Sequence, residues 1–234
     1  MLLSLGACTP ADIAPLPVGV ADYQLGGPYE PAQDVTVVVR DSTATPAPGV
    51  YSVCYVNAFQ SQPGEQLDSE LLLQPDPGWP DEYLLDTSRP QVAARARALV
   101  AVCDDAGFDA VELDNLDSWT RSDGQLDRED TIETAAAVVD EAHARGLAVG
   151  QKNTPQLTAD EVARIGFDFA VAEECHEYDE CAAYTDVYGD QVIDIEYTGT
   201  LADICADPDR PVMTSLRDRD LTPPGSPEHV AEHC

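Results

Sequence analysis

Along the chain, short β-rich apolar runs end in polar residues, and several are followed by stretches of helical periodicity. The runs cover residues 23–26, 35–40, 51–57, 109–115, 147–153, 167–173, 192–197 and 212–216. Three helices stand out between them. The first, over 90–106, follows Ser88, carries Pro90 in its first turn and stops at Gly107. The second runs from Asp130, with Glu133 three residues on as a capping box, to Gly146. The third has Thr158 and Glu161 as its box and ends at Gly166. Each terminal glycine leads within a few residues into the next run. Alternation of this kind with short helix-to-strand joins predicts a parallel sheet. Eight strands in about 200 residues fit a (β/α)8 TIM-like barrel near its lower size limit, in one domain. Connections after the first two strands carry weak helical signals, so some helices are expected to be short or replaced by loops. The competing architecture is an open doubly wound sheet. It lacks support, because no GxGxxG follows an early strand and Gly26-Gly27-Pro28 leads into no helix.

In such a barrel the chemistry gathers at the C-terminal strand ends, and alternation says which residues point inward. With Val111 and Leu113 facing the helices, Glu112 and Asp114 face the barrel mouth. With Cys54 and Val56 outward, Tyr55 and Asn57 face inward. The same reasoning turns Asp194 and Glu196 inward and gives Lys152 the parity of Ala148 and Gly150. Between Glu173 and Glu174 parity does not choose, since a strand end can bend. Several carboxylates thus converge on one face with a lysine and amides. Lys152 is the chain's one lysine, against eleven arginines, and a compact ammonium can hold neighbouring carboxylates ionised or bind a substrate oxygen. Paired carboxylates with no Gly-x-Ser-x-Gly point to glycoside hydrolysis, in which one acid protonates the leaving oxygen and the other attacks or activates water. Trp79, Trp119, Tyr178 and Tyr197 are candidates for stacking on sugar rings or for ordinary packing. No metal site and no cofactor are expected: no cysteines lie in a CxxC pair, and of the four histidines only His176 falls near a strand end.

Composition narrows the partners. The 44 acidic residues against 12 basic ones give a formal net charge of −32. That charge excludes nucleic-acid phosphates as the main partner, disfavours an anionic membrane face and allows a cationic partner. Apolar residues make up 44% of the chain, enough for a sizeable core. The seven cysteines divide unevenly. Cys8 ends Leu5-Gly6-Ala7-Cys8, which looks like a bacterial lipobox behind a truncated signal over residues 1–8. Residues 9–22, rich in Pro and Ala, read as a linker to a barrel domain over 23–234. The other six cysteines form an even set, as in exported proteins with disulfides. Cys175 and Cys181 are close enough in sequence to bridge; the remaining four need the fold. The expected place is outside the cytoplasm, at a bacterial cell surface or secreted, with any membrane contact made only through the lipid anchor.

Several segments carry a family resemblance. They are Val53-Cys54-Tyr55-Val56-Asn57-Ala58, the run from Gly107 to Asp117 containing Glu112-Leu113-Asp114-Asn115, the run from Ala142 to Asn153, Phe167 to Cys175, and Ile195-Glu196-Tyr197. In order and spacing they resemble glycoside hydrolase family 114, the endo-α-1,4-polygalactosaminidases. The resemblance implies a TIM-like barrel that cuts internal α-1,4 linkages of galactosamine-containing polysaccharide, a substrate that is cationic where deacetylated. It places the family's strand-4 Asp on Asp114 and its strand-6 Glu on Glu173 as the catalytic carboxylates. Gln24, Tyr55, Asn57, Glu112, Asn115, Asp117, Lys152, Asn153, Glu196 and Tyr197 would shape the sugar subsite. The chain departs from the family at Ala172 and Glu174, where Asn and Gln are usual. It departs also at Gln151, where Leu is common, and at Tyr23, where a Trp often precedes the Gln. An extra carboxylate at Glu174 would favour a more cationic substrate. The implied fold sets outward Cys54 against the helix carrying Cys103 and leaves Cys205 to pair with Cys234. A monomer is expected. The alternatives are a surface carbohydrate-binding lipoprotein that keeps the barrel without turnover, and an α-galactoside-type hydrolase.

Overall fold

The computed structural model describes residues 13–234, so Cys8 and the expected signal segment lie outside the described residues. The chain begins with β1 (Val20–Tyr23), β2 (Val35–Asp41) and β3 (Tyr51–Asn57), followed by a small antiparallel hairpin, β4 (Leu72–Pro75) and β5 (Tyr83–Leu85). Then α1 (Pro90–Ala106) leads to β6 (Ala110–Asp114), and α2 (Arg128–Arg145) leads to β7 (Ala148–Lys152). Next, α3 (Ala159–Ile165) precedes β8 (Phe169–Glu173), α4 (Cys181–Tyr188) precedes β9 (Val192–Glu196), and α5 (Leu201–Ala206) precedes β10 (Met213–Arg217). A last strand, β11 (Ala231–His233), runs antiparallel to β10. The main sheet has the order β1-β2-β3-β6-β7-β8-β9-β10-β11, and its first eight strands are parallel.

This is the eight-stranded α/β barrel expected from the alternation, nearly closed between β1 and β10. Arg217 of β10 spans that seam. Its side chain is buried, donates to the Tyr23 carbonyl, pairs with Asp22 at 3.3 Å and donates to the Val230 carbonyl at 2.7 Å.

Two apolar layers hold the barrel. The inner one fills the lumen with Val37, Val39, Val53, Phe169, Ile193 and Ile195. Gly150 belongs inside as well, because a Cβ there would lie 2.4 Å from the Phe169 ring. The outer layer packs Cys54, Val56, Val111 and Leu113 against Val100, Ala135 and Val138 of α1 and α2. Strands covered on both faces read as continuous apolar runs, as Val37-Val38-Val39 does. Helix α1 stops at Gly107, whose φ of 89° is costly for residues with a Cβ.

The boundaries differ from expectation in physically readable ways. Strand β1 begins at Val20, ahead of the expected run, and Leu16 packs into the inner layer. Part of the Pro-rich segment read as linker is therefore domain. Helix α2 starts two residues before Asp130, because the Asp127 side chain accepts from the Glu129 N–H and caps it there. The Thr158–Glu161 capping box is present in both directions. The hairpin, α4, α5 and β11 span three to eight residues each and leave too short a period to read.

All three disulfides are formed. Cys54–Cys103 ties β3 to α1, Cys175–Cys181 closes the loop after β8, and Cys205–Cys234 pins β11 to α5. Among the described residues no helix is long and apolar enough to cross a membrane.

Candidate active site

A cavity of about 760 Å³ opens at the C-terminal ends of the strands. Strand phase sets its floor. Tyr55, Asp114, Lys152 and Glu173 each lie two residues past an inner-layer or lumen-facing residue of their own strand, so all four turn toward the lumen.

Lys152 is the hub. Its side chain is only 3% exposed, and Nζ lies 3.1 Å from Glu173 Oε2, 3.3 Å from Glu112 Oε1 and 3.6 Å from Asp114 Oδ1. It also donates to the Tyr23 hydroxyl at 3.2 Å. Burial works against its charge, but the surrounding carboxylates, Asp114 and Glu173 foremost, hold the ammonium well above the usual lysine range.

Each carboxylate has a second partner. Tyr55 donates to Asp114 Oδ2 at 2.6 Å, and Tyr197 donates to Glu173 Oε1 at 2.5 Å. Asn153 donates to Glu173 Oε2 at 3.1 Å and accepts from the Glu173 N–H. Burial alone would raise the Glu173 carboxyl; Lys152, Tyr197 and Asn153 outweigh it and hold the group below its ordinary range. Glu112 lies deeper. Burial pushes it up to about 7, against the pull of Lys152 and with the repulsion of Asp114 added. Tyr23 donates to it at 2.8 Å. Burial and the nearby carboxylates raise Tyr23, Tyr55 and Tyr197, so all three stay protonated donors.

Of the residues expected at the site, Tyr55, Asp114, Asn115, Asp117, Lys152, Asn153, Glu173 and Tyr197 line the cavity, and Glu174 joins them. The ambiguity between Glu173 and Glu174 has a backbone cause. Glu173 keeps the strand phase, whereas Glu174 turns left-handed at φ 58° and pairs with Arg219 at 2.6 Å.

Four expected residues lie elsewhere. Glu112 sits beneath the floor and acts on it through Lys152 and Tyr23. Asn57 lies behind the lining, bonded to Glu82 and Asn115. Gln24 is buried outside the lumen, donating to Asp22 and accepting from Arg40.

Glu196 and Asp194 point away from the lumen. Ile193 and Ile195 fill the inner layer at that level, so the acids of β9 turn outward, where Glu196 Oε1 accepts from the His176 N–H at 2.7 Å. Burial and their mutual repulsion raise Asp194 well above its ordinary value, and burial raises Glu196. The same phase carries Tyr197 into the cavity.

A family model for glycoside hydrolases, GH114, matches residues 6–234. The chain belongs to glycoside hydrolase family GH114. Among solved structures, Ega3 from Aspergillus fumigatus, crystallised in complex with galactosamine, superposes with a TM-score of 0.82 at 22% identity. That alignment covers 98% of this chain and 100% of the other. The glycoside hydrolase domain of PelA from Pseudomonas aeruginosa gives 0.67 at 14% identity, over 90% of this chain and 98% of its own. The α-galactosidase TtGalA from Thermus thermophilus, in complex with p-nitrophenyl α-D-galactopyranoside, gives 0.52 at 14% identity, over 80% of this chain and 53% of its own. These likenesses show the shared barrel. No curated protein sequence matches the chain.

This GH114 site also contains residues that strand-end reading missed. Tyr23, not Gln24, is the β1 residue that reaches the floor. The β4–β5 hairpin brings Asp76, Trp79 and Glu82 to the wall, Arg121 approaches from the end of a 3-10 helix after β6, and Arg219 from the loop after β10. Their positions depend on long-range contacts and carry no local periodic signal. Of the aromatic candidates, Trp79 and Tyr197 line the cavity, while Trp119 packs on the outer layer.

Proposed function

We propose that the protein is an endo-acting glycosidase that cleaves internal α-1,4 linkages of galactosamine-containing polysaccharide, with Asp114 and Glu173 as its catalytic carboxylates. The observation that carries this reading is the pair itself. Two carboxylates at the mouth of a glycoside hydrolase barrel share one buried ammonium, Lys152. The reaction needs one carboxyl protonated and one ionised at the same moment. The ammonium helps to hold the carboxylate nearest to it, Glu173, in the ionised form.

The two carboxylate oxygens stand 3.1 and 3.6 Å from one nitrogen. The net charge of −32 suits a partly deacetylated, cationic polymer.

Three disulfides support an oxidising compartment outside the cytoplasm. Cys8, outside the described residues, is the proposed lipid attachment point.

The test is hydrolysis of galactosamine polymer, followed by new reducing ends. Asp114→Asn and Glu173→Gln are each expected to lose at least about 10³-fold in kcat, in line with the loss of an essential acid or base. Wild-type rates in both variants overturn the assignment. Oligosaccharide binding by the wild type with no new reducing ends would make the protein a binding module.

A further inference from the structure

Most carboxylates of the cavity wall touch a basic side chain of the protein, though three cations are shared among them. Arg121 reaches Asp76 at 2.8 Å and also pairs with Asp117. Lys152 serves Asp114 and Glu173, and Arg219 serves Glu174.

Among the described residues, Glu82 on the hairpin and the exposed Asp220 have no basic partner, and of the two only Glu82 is held by side-chain hydrogen bonds. Its Oε2 accepts from Gln60 Nε2 at 2.8 Å and from Asn57 Nδ2 at 3.1 Å, both neutral amides. Among the described residues no basic side chain pairs with it, and its Oε1 has no hydrogen-bond partner. The charges that act on it are Asp76 and Asp114, which, after burial, push its carboxyl up. A carboxylate placed beside other carboxylates, fixed by amides and open to a cavity, is a receptor for a cation that comes from outside the protein.

The position is rigid. Gln60 and Asn57 are buried, Leu84 and Leu85 anchor the strand after Glu82, and the Glu82 N–H closes a turn onto the Trp79 carbonyl. Asp76 Oδ1 accepts from the N–H groups of Gly78 and Trp79, which fixes the tip. Trp79 itself is 68% exposed and lines the same cavity. An exposed indole beside a sugar cleft offers a face for pyranose C–H bonds.

We propose that the β4–β5 hairpin is an amino-sugar subsite, in which Glu82 binds the free 2-ammonium of a galactosamine unit while Trp79 stacks on a sugar ring. This rests on the amino-sugar polymer reading above and adds the residue that tells a free amine from an acetylated one. An ammonium brings three donors and a positive charge to Glu82 Oε1. An acetamido group is neutral and bulkier, and it leaves the carboxylate uncompensated.

The experiment compares kcat/KM on fully deacetylated and fully N-acetylated galactosamine oligomers of equal length. In Glu82→Gln the amide oxygen still accepts from Asn57 and Gln60, and only the charge is lost. The deacetylated-to-acetylated ratio is expected to fall at least tenfold, mainly through KM. Glu82→Asp, which keeps the charge but withdraws it by a methylene, should fall in between and guards against misfolding of the first variant. Trp79→Ala should raise KM for both oligomers without changing their ratio.

A ratio unchanged in Glu82→Gln and Glu82→Asp overturns the subsite. The two proposals fail separately. If the wild type cleaves neither oligomer, the functional reading falls, and calorimetric binding of the same two oligomers to wild type and Glu82→Gln still decides the role of Glu82.

Discussion

Replacing Lys152 by methionine keeps most of the packing volume and removes one charge. Lys152 stands within 3.1–3.6 Å of Glu173, Glu112 and Asp114, and its side chain is 3% exposed. Without it, three carboxyl groups face one another and must take up protons or move apart. Leaving a buried charge unpaired costs about 3–5 kcal/mol. The Glu173 side chain keeps 27% and Asp114 18% of their exposure, so some of that cost is relieved by water. The lower end, about 3 kcal/mol, is therefore expected at neutral pH, which in a domain of this size lowers Tm by roughly 6–12 °C.

The loss should shrink in mild acid, because the orphaned carboxyls then bind protons in the folded state too. Activity should change in a recognisable way. Lys152 contributes to holding Glu173 below its ordinary range, so its removal raises that group. The acidic limb of the kcat/KM profile should then move to higher pH, and kcat should drop about 10²-fold, as when one preorganised electrostatic partner is lost. Thermal unfolding at pH 5 and 7.5, with a reducing-end assay across the same range, measures both effects. A Tm at pH 7.5 within about 2 °C of wild type, a shift worth under 1 kcal/mol, together with an unmoved acidic limb would refute the hub role.

Two further predictions concern stability. The Cys54–Cys103 bridge spans 49 residues, so Cys54→Ala with Cys103→Ala should lose about 4 kcal/mol in urea unfolding, and an unchanged midpoint would show that the bridge adds nothing. Asp194 is buried and raised, and Glu196 beside it is raised as well. Their contribution is therefore present in full below the ordinary carboxylate range and is lost as pH rises through the raised values. Wild-type Tm should accordingly fall from pH 5 toward pH 8, and Asp194→Asn should flatten that fall; equal slopes in the two proteins would exclude the pair as its cause.

The barrel was legible because its signals are local. Glycine stops at 107, 146 and 166 and the Thr158–Glu161 box each act within a turn or two of chain. The Cys54–Cys103 pairing was implied by the family resemblance and its barrel, and the bridge is formed. For β6 the parity reading held: Val111 and Leu113 pack against helices α1 and α2.

For β9 the same parity argument failed. Ile193-Asp194-Ile195-Glu196 alternates equally well in either phase. The choice falls to what covers each face. The lumen at that level is apolar, and the outer side supplies a backbone N–H from His176 to a carboxylate.

By itself, then, the sequence determined the order of the eight parallel strands and of helices α1 to α3, because periodicity and capping are properties of neighbouring residues, and its ordered motifs carried the family. Only the tertiary structure decided that Lys152 joins three acids from two other strands, that Tyr23 supports it, and that Glu82 stands on the wall without a cation. Those facts depend on distances between residues far apart in the chain, and charges interact by distance in space rather than by separation in sequence.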